Sequence, residues 1–560
     1  MPCPPPQTVR DIHVPIRATR KPGIYKDSVT LMRIAQRALA DPGVLRATLL
    51  MGTAANKAAL RADGLLDAAL ADARPSDLMV AIEAGSDDEA EAALAAVEGW
   101  LAGREAMKEA DGPAAAMRPR SLAMYAAHAP HAATLAQISV PGAYAGAEAL
   151  KALRQGLHVF LFSDNVPLAE EQVLKRLAQR KGLLVMGPDC GTAMLRGVPL
   201  GFANAVRRGA IGLVGASGTG LQEVMCRIHE LGEGVSHAIG TGSHDVSAEI
   251  GGTTMRQGID LLAADQATRV IAIVSKPPAP AVAHAVLAQL ARTGKPAVVL
   301  FLGADTPRDV ASDAVVPVTT LEDAARAAVG SLHGRSVTPT PTANDGQALA
   351  EADRLAESQR YVRALYSGGT FCAEAQLVWR AGGIRARSNA PLDRADALTD
   401  PLHVDGHAAI DFGSDEFTVG RPHPMIDLAT RVDAIARQAR DPAVAAIVLD
   451  VVLGYGSHRD PAGTLGPAIA DARATAAREG RHLTVFAFVC GTEDDSQRLS
   501  VQQAKLRNAG AIMCASSTAA ARLAGILAKA VAERMNPSST SRALDSVSPR
   551  AEIGVRGDRQ

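Results

Sequence analysis

Short, unbroken apolar runs set between amphipathic stretches constrain this chain more than any other feature. LAQISVPG, HVFLFSD, GLLVMGPD, AIGLVGAS, RVIAIVSK and PAVVLFLG follow one another between Leu135 and Gly303, separated by stretches such as AGAEALKAL and AEEQVLKRLAQR. A run apolar throughout, rather than at every second residue, belongs to a strand buried on both faces. Strands alternating with helices predict an α/β fold with parallel sheets covered on both sides, and ligands at the carboxyl ends of the strands. The pattern repeats: Asp265-QATRVIAIV leads to KPAVVLFLG, and Asp441-PAVAAIVLDVV leads to HLTVFAFVCG, which suggests a duplicated flavodoxin-like unit.

At 560 residues the chain is too long for one core. Residues 1–25 read as a flexible arm and 26–110 as a small α/β unit with no obvious chemistry. The stretch 336–356, containing RSVTPTPTANDGQAL, reads as a linker, and 531–560 as a disordered tail. Aromatic residues at 3% argue against stacking on single-stranded nucleic acid, and a net charge of -1 gives no global field for nucleic acid or membrane. Arg10, Arg17, Arg20 and Lys21 are read as part of a solvated tail. The six cysteines (3, 190, 226, 372, 490 and 514) form no CxxC pair, so neither zinc nor a disulfide framework is expected. No apolar run nears the roughly 20 residues of a membrane span, and MPCPPPQTVR lacks a signal-peptide core, so a cytoplasmic location is expected.

Four stretches carry candidate chemistry. IGLVGASGTGLQEV (211–224) is a strand, a burst of small residues and a helix whose Leu221, Val224, Met225 and Ile228 share one face. It lacks the Gly-Lys-Ser/Thr of a P-loop and the last glycine of a nucleophile elbow or a dinucleotide fingerprint. Ser217, Gly218, Thr219 and Gly220 would therefore either bind an anion at the helix start or simply cap it. Asp450-VVLGYGSH places Gly454 and Gly456 after a strand, where a backbone can approach a ligand or merely turn. Asp411-FGSDEFTVGRPHPMID sets Arg421 and His423 between prolines; Arg can fork onto a carboxylate or phosphate. GTGSHD (240–245) puts His244 and Asp245 after another strand, with a plain turn as the rival reading.

Val140-PGAYAGAEALKAL, Gly187-PDCGT, Gly215-ASGTGLQE and Gly240-TGSHDVS resemble the α subunit of succinyl-CoA synthetase in order and spacing. The region 411–515, with Asp450-VVLGYGSH and Cys490-GTEDD, resembles the carboxyl-terminal domain of that enzyme's β subunit. The whole arrangement is similar to the FdrA family, described as acyl-CoA synthetases or as large subunits of oxamate carbamoyltransferase. The resemblance implies a Rossmann-like, CoA-binding-type domain over 120–204 and two ligase-type flavodoxin-like domains over 205–335 and 357–530. It further implies that two helix starts, 217–220 and Gly454–Gly456, aim at one phosphate.

Three differences from the synthetases shape the expected function. No histidine loop follows Val298-VLFLG, Ser275-Lys276-Pro277-Pro278 replaces the segment that would support that histidine, and MYAAHAPHAATLAQ stands where the CoA fingerprint would be. No nucleotide-binding domain is legible, so nucleotide would need another subunit. The resemblance to the FdrA family then implies a subunit of a carbamoyl-transferring enzyme interconverting oxalurate plus phosphate with oxamate plus carbamoyl phosphate in purine breakdown. Lys276 or Arg421 would bind the substrate carboxylate, and His423 or His244 would pass a proton. Neither a cofactor nor a metal is required, and the partners would be small substrates and further protein subunits. The alternative is an ADP-forming acyl-CoA synthetase subunit that binds CoA; a non-catalytic scaffold is the third reading.

Overall fold

The computed structural model describes residues 15–24, 26, 28–102, 121–128, 133–304, 314–335, 345–419 and 421–535. Most of the expected arm (1–14), the stretch 336–344 and the tail from 536 onward lie outside the described residues. The chain divides into two compact units, 1–170 with 415–422, and 171–414 with 423–560.

In the first unit, strands Ile16–Lys21, Leu78–Ala84 and Val44–Met51 form an antiparallel sheet with Leu78–Ala84 in the middle. The period-2 alternation of a strand sorts its side chains. Leu78, Val80 and Ile82 pack with Leu31, Ala93 and Val97 of helices Ser28–Ala38 and Asp87–Leu101, while Met79 and Ala81 pack with Leu60 and Leu70 on the other face. Helix Asp87–Leu101 is N-capped by Ser86: Glu89 N–H donates to Ser86 Oγ, and Ser86 Oγ–H donates to the Glu89 carboxylate.

The arm expectation needs correcting here. Residues 16–21 are a strand because Ile16 and Ala18 pack on the second cluster, and Arg17 pairs with Asp87 at 2.8 Å. Further along, helix Gly142–Arg154 links the parallel strands Leu135–Ile138 and His158–Leu161.

The second unit holds two sheets. One runs in the order Val315–Pro317, Ala297–Phe301, Val270–Ser275, Arg208–Gly215, Val235–Gly240, Thr192–Leu195, Val198–Gly201, and its five strands from Val315–Pro317 to Val235–Gly240 are parallel. The other is wholly parallel, in the order Ala386–Ser388, His407–Asp411, Tyr361–Tyr366, Val444–Val452, Thr484–Cys490, Ile512–Met513. Numbered along the chain, the five parallel strands of the first sheet stand 2-1-3-4-5, a flavodoxin-like order. The second is the same order with His407–Asp411 inserted beside its first strand. The α/β, parallel-sheet expectation therefore holds.

The linker is shorter than expected. Asp345–Asp353 is helical, because Ala348 and Ala352 are buried where it packs on helix Ser517–Met535. That last helix also runs into the stretch read as tail, ending at Met535.

Candidate functional site

The first parallel strand of each sheet in the second unit ends at the point where the strand order reverses, and each runs directly into a helix. Arg208–Gly215 leads into Gly218–Glu230, and Tyr361–Tyr366 leads into Gly369–Ala381. The two helix starts meet: Ser217 Oγ and Thr370 Oγ1 lie 2.7 Å apart, and a Cβ on Gly368 would stand 2.5 Å from the Thr219 methyl. Ser217 and Gly368 are the N-cap residues, and neither helix receives a side-chain cap bond. The capping alternative for Ser217 is thereby excluded, since its hydroxyl reaches across to the other helix.

Small residues are required for this approach. A Cβ on Gly215 would fall 1.9 Å from the Val274 carbonyl oxygen, and one on Gly220 would fall 2.2 Å from Ser217 Oγ. The second start is held by charge instead. Ser367 N–H and Oγ–H donate to the Asp450 carboxylate, the former at 2.9 Å. Arg431 Nη2 donates to Asp450 Oδ1 at 2.9 Å and to the Leu365 and Asp450 carbonyls. Arg431 and Asp450 are both buried, so the pair repays its desolvation only through these additional bonds.

The sequence expectation places the facing helix start at Gly454 and Gly456, whereas the structure places it at Ser367-Gly368-Gly369-Thr370. No helix begins at Gly454 or Gly456. The next one, Pro461–Arg478, is capped by Asp460, whereas Gly454 packs on the Ala203 carbonyl, Tyr455 N–H donates to Ala203 O, and Gly456 lies on Phe202. With φ of +106° and +80°, these glycines shape a turn that clamps 201–204.

His423 comes close to the second start. Its Nε2, Asp411 Oδ1 and the Ser367 carbonyl oxygen all lie within 3.1 Å of where a Cβ on Gly413 would stand. Burial, reinforced by the Arg431 charge, pushes the imidazole down to about 4, so it is neutral. Met425 N–H donates to Nδ1 at 3.2 Å, which leaves the ring proton on Nε2.

Arg421 Nη2 pairs with Asp63 Oδ1 at 3.1 Å, within the first unit. Lys276 is exposed at the end of strand Val270–Ser275. His244 Nδ1 sits 3.2 Å from the buried Glu171 carboxylate, while Asp245 is fully used by Lys175 Nζ and the Thr254 and Met255 N–H groups.

Behind the cradle, both helices carry a buried glutamate toward the start of helix Ser517–Met535. Glu374 accepts from Ser517 Oγ, Thr518 Oγ1 and Leu321 N–H, and Glu223 accepts from Ser517 N–H. Burial raises both carboxyls, Glu374 to about 7.

Two sheets, one wholly and one mostly parallel, place these helix starts in the two stretches that CoA-type family models match. Residues 365–527 match the CoA-ligase family model and 206–303 that of the CoA binding domain; 14–118 match a family described as AllF, heavy metal-associated domain. The chain is 43% identical to the uncharacterized protein YahF of Escherichia coli (strain K12) over 504 residues, 90% of this chain and 96% of that one, and it belongs to the YahF family. It is also 28% identical over 153 residues to the ADP-forming sulfoacetate-CoA ligase subunit SauD of Bilophila wadsworthia (strain 3_1_6), 26% of this chain and 51% of that one. Among solved structures, the apo dinucleotide-forming acetyl-coenzyme A synthetase 1 of Ca. Korarchaeum cryptofilum gives 16% identity and a TM-score of 0.27, covering 75% of this chain and 87% of that one. The ATP citrate lyase from Methanothrix soehngenii gives 13% identity and a TM-score of 0.31, covering 75% and 86%. The two domain models agree with the CoA-ligase alternative, and nothing in these likenesses supports carbamoyl transfer. No described helix is long and apolar enough to cross a membrane.

Proposed function

We propose that the chain is a CoA-ligase-type subunit acting at the acyl-phosphate stage, exchanging the acyl group between phosphate and a thiol acceptor such as CoA. The observation that carries this reading is the meeting of Ser217 and Thr370 at 2.7 Å between two helix starts that no side chain caps. Free N–H groups and the positive ends of two helix dipoles suit a phosphoryl group, whose negative charge grows as the acyl C–O bond breaks. Each well-placed donor would contribute about 3 kcal/mol to that transition state. The neutral His423, with its proton on Nε2, would donate toward the substrate from beside Ser367. Nucleotide would be handled by a partner subunit.

A second reading has one observation in its favour. The segment after strand Ala297–Phe301 contains no histidine as far as Pro317, and Ser275-Lys276-Pro277-Pro278 follows the neighbouring strand. A site that passes no phosphoryl group to a histidine suits direct phosphorolysis, and carbamoyl phosphate is then the acyl phosphate, as the FdrA resemblance implies. Turnover of acetyl phosphate and of carbamoyl phosphate by the full chain, with CoA or oxamate as acceptor, separates the two. Thioester formation supports the first reading, oxalurate formation supports the second, and release of phosphate with neither acceptor consumed counts against both.

A further inference from the structure

The likeness of residues 14–118 to a heavy metal-associated domain raises the question of what this unit holds. Soft cations are held by thiolate, imidazole or thioether ligands. Between Val14 and Arg118 the sequence has no cysteine and no histidine. The methionines on its sheet cannot act together: Met51 and Met79 are buried in different clusters, on opposite faces. Among the described residues, no group of three or more His, Cys, Asp or Glu is placed to hold a metal. The turn after the first strand is committed as well, since the Asp77 carboxylate accepts from the N–H groups of Gly23 and Arg74. The residues present do not fit a heavy metal.

What the unit does hold is a piece of its own chain from far along the sequence. Residues 415–422 group with 1–170, although 414 and 423 on either side belong to the other unit. Arg421 reaches Asp63, the residue that closes helix Ala54–Ala62. Asp63 is itself fixed, because its carbonyl accepts from Arg46 Nη1 at 3.0 Å and Arg46 also pairs with Glu83 of the central strand. A carboxylate anchored at its backbone presents a better-placed partner than a free surface acid, because less side-chain and chain freedom is lost on pairing.

We infer that the N-terminal unit is a clasp for residues 415–422 and not a metal carrier. The occupant of its surface is this segment, 415–419 with 421 and 422, which groups with the first unit. The inference stands independently of the reaction assigned above.

Hydrogen exchange of the full chain, read by mass spectrometry, tests it. Asp63→Lys and Arg421→Glu should each speed exchange of the amides of 415–419 and 421 by about threefold, as loss of a half-exposed ion pair allows. The double variant Asp63→Lys/Arg421→Glu should return exchange toward wild type, because the pair is rebuilt with its signs reversed. Amides of helix Gly218–Glu230 serve as the control for general unfolding and should not change. Adding Zn(II) or Cu(I) should leave exchange across residues 16–101 unaltered. Single variants that leave 415–419 and 421 unaffected would overturn the clasp, as would a double variant no better than the singles. Metal-induced protection of 16–101 would overturn the exclusion of metal.

Discussion

The two helix starts that form the cradle both open on an extended N-cap residue and are held there by different means. The first, at 217–220, is fixed by packing: Gly215 fits under the Val274 carbonyl and Gly220 against Ser217, with no charged group involved. The second, at 367–370, is fixed by a buried ion pair, with Asp450 taking both donors of Ser367 and Arg431 neutralising Asp450. The duplicated architecture thus preserves where a helix begins, not how its beginning is held. A packing solution is local and tolerates no added atom; a charge solution depends on residues distant in sequence and tolerates no lost partner.

Substitutions can set these two solutions against each other. Arg431→Met leaves Asp450 buried and unpaired and should cost the most, about 3–5 kcal/mol in a denaturant titration. Asp450→Asn added to it should recover part of that loss, whereas purely additive costs would mean the pair is not the anchor. Gly215→Ala drives a Cβ into backbone and should cost about 2–3 kcal/mol, less than losing Arg431. If its cost proves negligible, the first start is not held by packing.

The glutamates behind the cradle give a pH signature. Glu374 keeps its proton in the folded chain up to about 7, whereas the unfolded chain releases it near 4.5. Over that window the native state binds more protons, so stability falls as pH rises. Glu374→Gln should therefore gain on wild type as pH climbs through the window, by on the order of 2 kcal/mol at its upper end. His423 acts in the opposite sense, since its folded value near 4 lets stability rise with pH up to the usual 6.5, but it is common to both proteins and cancels in the difference. Thermal melts at several pH values measure it, and a gap independent of pH would contradict the assignment. The smallest effect belongs to Gly456→Ala, where a left-handed φ should cost about 1 kcal/mol and leave phosphate affinity unchanged.

The same contrast explains what the sequence made legible. The first start announces itself, because an unbroken apolar strand, AIGLVG, runs into ASGTG. The second uses the same grammar in YVRALYSGGTFCAE, but Arg363 interrupts the apolar run. That arginine is buried, donating to the Val404 carbonyl and to Gln438, so a charged residue sits inside a strand that reads as partly exposed. Gly454 and Gly456 are more conspicuous in the sequence, although their conformation serves the turn against 201–204. The parallel α/β architecture and its duplication were readable from periodicity alone. Arg421 was not placeable, because its partner Asp63 lies in a different unit from the neighbouring His423.

Calorimetric titration of the full chain with inorganic phosphate, and then of Ser217→Ala/Thr370→Val, tests the cradle most directly. Wild type should bind phosphate, and the double variant should bind at least about tenfold more weakly with an unchanged unfolding midpoint. Equal affinity in a well-folded double variant, or no binding by wild type, would contradict it.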